Sequence, residues 1–233
     1  METERLDQES QNILRRIVER LAYRQLMAAN IRGHGLKFVP EVEEKIPLAR
    51  DLEHSLTILH EVERFYAAIG GADLSLAVRG LLERIPYPTS RLELAVCLAL
   101  CDRTERVVAE GYVGSASTSL SAIARSLLDM DRASTRSGEE FLIGFCQEAG
   151  NRPAAQQMFN RWLTITLLAL GRPGTPGDKR AIALKLRTKT CGHSVREYLD
   201  GLKALMSACH LQLPPAATLG VELPPDVLAG SAR

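Results

Sequence analysis

Apolar residues recur three and four positions apart in one run after another of this sequence, and no stretch alternates apolar with polar over the length of a strand. A spacing near 3.6 lines up one face of a helix, so the chain reads as helices that must bury those faces against each other. The first run, 13–31, carries Ile13, Ile17, Leu21, Leu26 and Ala29 and stops at Gly33 and Gly35. The second places Leu48, Leu52, Leu56, Leu59, Val62 and Tyr66 on one stripe, with Gly70-Gly71 as its stop and Pro47 as a possible kink if it begins at Pro40. A shorter run over 74–84 leads to Ile85-Pro86-Tyr87-Pro88, which is extended because a residue before proline leaves the helical region. A third long helix starts with Thr89 or Ser90 as its cap and passes Leu94, Cys97, Leu98, Cys101, Glu105 and Val108 to the break at 111–114. The fourth is expected over 117–149 with a weak, polar middle at 134–138. A very apolar helix over 154–170 holds the single tryptophan, Trp162; then come a turn rich in Gly and Pro at 171–177 and helices over 179–189 and 194–209.

The expected fold is therefore all-α, one helical domain over 13–215, preceded by a flexible N-terminus (1–12) and followed by an irregular tail (216–233). A chain of 233 residues can bury a core of several long helices without splitting. Net charge is +1, with Lys and Arg scattered among acids, and that balance offers no basic stripe for nucleic acid. The polar, acidic start from Met1 to Asn12 is not a secretory signal, and no apolar stretch reaches the ~18 residues of a membrane span. A cytoplasmic protein is expected, without membrane contact. The five cysteines form no close C-x-x-C pair, which argues against structural disulfides and zinc. Cys97 and Cys101, four apart, read as small buried residues on one face before they read as a redox couple.

Four long helices joined partly by longer connections suit a bundle with one crossover, and the centre of such a bundle can hold two metals between inward carboxylates and histidines. Glu-x-x-His places both ligand types on one helical face. The nearest match is Asp51-Leu52-Glu53-His54, at the edge of the second stripe, although a surface Asp/His pair at that spacing is also ordinary. Asp102 follows Cys101 in an apolar helix, and a buried carboxylate there needs a partner, a proton or a metal. Asp131-Arg132-Ala133-Ser134 stands where a second Glu-x-x-His would fall, with serine a poor ligand. His60, about one and a half turns from His54, is the alternate ligand. No phosphate loop, dinucleotide fingerprint, H-E-x-x-H or G-x-S-x-G occurs.

Three stretches carry a family resemblance: the Asp51-x-x-His54 helix ending at Gly70, Asn160-Arg161-Trp162-Leu163 through Gly171, and Leu186-Arg187 through Val195-Arg196-Glu197-Tyr198-Leu199 to Leu213-Pro214. Over 13–215 the chain resembles the iron-containing catalytic subunit of phenylacetyl-CoA epoxidase, a ferritin-like bundle. The resemblance implies a ferritin-like fold with extra C-terminal helices and a di-iron site that activates dioxygen on an acyl-CoA thioester. Matched by position, metal ligands fall on Asp51, His54, Asp102 and Asp131, with an amide at Gln25 and a hydroxyl at Ser134 where the family has a carboxylate and an imidazole. Gln cannot offset ferrous charge, and Ser cannot replace imidazole. The first expectation is thus an iron oxygenase with altered ligands, acting on an acyl-CoA or aromatic metabolite, either self-associated or paired with a ferritin-like subunit. The alternatives are a metal-free partner subunit and a bundle that binds a small molecule.

Overall fold

The computed structural model describes residues 7–83, 86–219 and 223, and within them the chain is helical without a strand. Of the sequence expectations, Met1–Leu6, Arg84 at the end of the run over 74–84, Ile85 of the proline linker, and tail residues 220–222 and 224–233 lie outside the described residues. The helices are α1 (Gln8–Gly35), α2 (Val42–Ala68), α3 (Leu74–Leu82), α4 (Arg91–Glu110), α5 (Thr118–Leu128), α6 (Ala133–Gln147), α7 (Arg152–Leu170), α8 (Pro176–Ala183), α9 (Cys191–Cys209) and the short α10 (Ala216–Leu219).

The ends of these helices follow from local chemistry. Asp7, Asp73, Ser90, Ser117, Thr175 and Thr190 each accept a backbone N–H of the first turn they precede, satisfying a donor the helix itself leaves open. The Asp7 cap starts α1 at Gln8, inside the span expected to be flexible. At the other end of α2, Gly70 takes φ 77° while the Gly71 amide bonds back to Tyr66 O at 2.9 Å, a left-handed stop that costs glycine little.

The expected fourth helix is two. Its break lies at 129–132, not in the polar stretch 134–138, which is helical and opens α6. Arg132 sits in the left-handed region at φ 49°. Its guanidinium folds back to donate to Leu127 O (2.6 Å) and Met130 O (3.2 Å), taking up carbonyls at the end of α5. That turn swings Ser134 and Thr135 inward, where both are buried.

Four helices enclose the centre, and their directions can be read from side-chain pairs. Arg15 reaches Ile69 O and Tyr66 reaches Glu19, so α1 and α2 are antiparallel. Gln25 meets Glu105 while Arg32 meets Asp102, so α1 and α4 are antiparallel as well. It follows that α2 and α4 run the same way, and the connection through α3 must cross the bundle's length. Thr135 meets Asp102 at one end while the Arg91 guanidinium lies over the Phe141 ring at the other, so α6 is antiparallel to α4. The ring α1, α2, α4, α6 is thus up, down, down, up. Gly35 permits close approach of α1 and α4: a Cβ there would stand 2.6 Å from Leu94 Cδ1. Outside the ring, α7 and α9 close the far side of α4, burying Trp162, Phe159, Tyr198 and Leu202.

The five cysteines are free thiols. Cys97 is fully buried with its sulfur 3.7 Å from that of Cys101, and burial pushes its thiol well above the ordinary range, which suits packing and not nucleophilic chemistry. Among the described residues no helix is long and apolar enough to cross a membrane.

Candidate functional site

The ring of four helices encloses a closed polar circuit that links each neighbouring helix pair. Arg32, on the last turn of α1, is almost wholly buried and forks between two helices: Nη2 donates to Asp102 Oδ1 of α4 at 2.6 Å, and Nη1 to Ser55 Oγ of α2 at 3.1 Å. Ser55 in turn donates to Asp51 O, 2.9 Å away. On α6, Ser134 offers both its backbone N–H (3.0 Å) and its hydroxyl to Asp51 Oδ2, and the neighbouring Thr135 hydroxyl donates to Asp102 Oδ2. One turn further along α4, Glu105 accepts from the Gln25 amide and faces Arg132 at 3.9 Å.

A buried circuit of this kind stands only if its charges and donors balance. The carboxylates are Asp51, Asp102 and Glu105; the cations are Arg32 and Arg132. Burial works against the Arg32 cation, but Asp102, Glu105 and Asp51 all favour it, and its pKa moves up. For Glu105, burial and the nearby Asp102 push the carboxyl up, against the smaller opposing pull of Arg32 and Arg132.

Of the sequence-derived positions, Asp51, Asp102, Gln25 and Ser134 converge in the circuit. The others do not join it. Asp131 is 77% exposed and pairs with Arg136 at 2.8 Å, because the turn at Arg132 carries it outward. His60 is 72% exposed beside Glu63. His54 lies on α2 one turn after Asp51, with Nε2 buried and without a hydrogen-bond partner. Among the described residues no group of three or more His, Cys, Asp or Glu side chains is gathered as metal ligands would be.

The donor chemistry explains that arrangement. A divalent metal needs lone pairs turned inward, whereas Asp51 and Asp102 here already accept from Ser134, Thr135 and a permanently charged guanidinium. Among the described residues of α1, α2 and α4, Gln25 Oε1, Glu105 Oε2 and His54 Nε2 are buried without a hydrogen-bond partner, and they come from three different helices without gathering as a ligand set. The residues present therefore do not fit a di-iron centre: Arg32 brings the positive charge, and hydroxyls and an amide supply donors where ligands would be required.

Sequence reasoning missed Arg32, Thr135 and the buried state of Glu105. The signal for Arg32 was present as a spacing: Val18, Gln25 and Arg32 are seven apart on α1 and continue the buried face of Leu14 and Leu21. A charged residue in register with an apolar stripe points to an internal partner.

The fold and this site define an all-helical bundle with a buried, ion-paired centre spanning four helices. No protein-family model matches the chain, and no curated protein is significantly similar to it.

Proposed function

We propose that this chain is a ferritin-like bundle that works without a metal at its centre, and that it serves as a small-molecule binding protein instead of an oxygenase. The up, down, down, up order with its long crossover supports the ferritin-like reading. So does the convergence of Gln25, Asp51, Asp102 and Ser134, the positions matched to ligands in the epoxidase-type family. The observation that carries the metal-free reading is the Arg32 guanidinium, bonded to Asp102 at 2.6 Å and to Ser55 at 3.1 Å in the middle of that constellation. A fixed cation among the carboxylates offsets part of their charge and disfavours a dication by repulsion.

Titration of the purified chain with cobalt(II), followed by the visible absorption of bound metal, tests this directly. The native chain should show no stoichiometric uptake. The folded triple variant Gln25→Glu, Arg32→Ala, Ser134→His, which removes the guanidinium and restores a carboxylate and an imidazole, should gain it. One or two equivalents of cobalt on the native chain, lost in Asp102→Ala, would instead support the oxygenase.

A further inference from the structure

We infer that the cleft flanked by α1, the end of α7 and α8 is a binding site for an organic phosphate, a dianionic phosphoryl group carried on an apolar body. The proposal rests on the binding reading above and names where the ligand sits and what it is. The cleft has a volume of about 690 Å³, within the size range of small-molecule sites. Its charged lining is five arginines, Arg16, Arg20, Arg24, Arg172 and Arg187, against one acid, Asp178. That acid is already engaged: it accepts from Arg187 Nη1 at 3.3 Å and from the Cys191 amide at 3.0 Å. Among the described residues the other four arginines make no ion pair.

Arg16, Arg20 and Arg24 stand four apart on one face of α1, a placement in which like charges repel. Arg24 is the telling member. It is only 7% exposed, yet its Nε and Nη2 are buried without any hydrogen-bond partner. It also borders a second, small cavity of about 20 Å³ next to Asp102 and Glu105, and so forms the inner wall of the cleft. A guanidinium held out of water with idle donors is costly unless an anion meets it. Guanidinium forks suit phosphate oxygens, and several of them favour a doubly charged group over a single carboxylate. Ile13, Ile17, Tyr23 and Leu168 supply an apolar wall beside the arginines, where a hydrophobic or aromatic body would lie.

Calorimetric titration of the full chain with 1-naphthyl phosphate and with inorganic phosphate tests this. Naphthyl phosphate should bind, more tightly than inorganic phosphate and more weakly as salt rises. The double variant Arg16→Gln, Arg20→Gln, exposed at both positions, should weaken binding at least about tenfold, and Arg24→Gln should do so if it folds. Arg125→Gln, exposed and outside the cleft, should leave binding unchanged. No binding of either probe, or an affinity indifferent to the double variant, would overturn the site while leaving the metal-free centre standing. Cobalt uptake by the native chain would overturn that reading without altering this titration.

Discussion

Arg32 is worth far more to the fold than its single charge indicates, because its loss leaves the buried Asp102 carboxylate without its counter-charge. Arg32→Met should cost about 3–5 kcal/mol, read from urea unfolding. The paired change Arg32→Met, Asp102→Leu should recover most of that, since an apolar pair of similar size needs no counter-charge. A loss below 1 kcal/mol for Arg32→Met, about what an exposed ion pair contributes, would contradict the buried circuit. Asp131→Ala, by contrast, removes only an exposed pair and should stay within about 0.5 kcal/mol of the native chain. Glu105 gives the circuit a pH dependence. Its carboxyl lies above the ordinary value of 4.5, chiefly through burial and then through Asp102. The folded state therefore holds that proton to higher pH than the unfolded chain does. The stability Glu105 contributes is present below 4.5 and declines as pH rises through the folded pKa. Glu105→Gln should flatten this decline, lying above the native chain in unfolding midpoint at pH 8 and losing that advantage at pH 4. A variant less stable than native at pH 8 would reverse the sign.

At the scale of elements, Glu93 holds the start of α4 to α7. Its carboxylate accepts from Thr89 N (2.8 Å), Thr89 Oγ1 (2.7 Å) and Trp162 Nε1 (3.0 Å), and pairs with Arg161 at 2.8 Å. Burial alone would raise its pKa, but these partners prevail and hold it below the ordinary range. Glu93→Ala leaves the indole N–H and the cap unsatisfied and should cost about 3 kcal/mol, with a change in Trp162 fluorescence before global unfolding. Much at this scale was legible in advance. The apolar stripes located α1, α2, α4, α7 and α9, and Gly70-Gly71 marked the end of α2. The division between α5 and α6 was not legible, because the turn at Arg132 is held by the carbonyls of Leu127 and Met130 and by burial of Ser134 against Asp51 on another helix. Local polarity at 134–138 therefore pointed to the wrong place: Ser134 and Thr135 face the protein's own centre, while Arg136 is exposed.

At the scale of the whole molecule, the candidate site depends on register between helices distant in sequence. Asp51 and Asp102 were legible one by one, each a carboxylate near an apolar stripe, whereas Gln25 and Ser134 were named only by their positions against the resembled family's ligand pattern. That Arg32 lies between Asp102 and Ser55 depends on how far α1 slides along α4 and α2, and no spacing within one helix encodes that. The same holds for the arginine cleft, whose walls come from α1, α7 and α8. The proposed metal-free centre has a guanidinium in the place of metal charge. Its most direct test is the iron, manganese and zinc content of protein purified without chelator, with the thermal midpoint measured before and after EDTA. Metal well below one equivalent and a midpoint unmoved by EDTA are predicted. Near-stoichiometric metal that is lost in Asp102→Ala, with a midpoint of the native chain that falls on chelation, would contradict a metal-free centre.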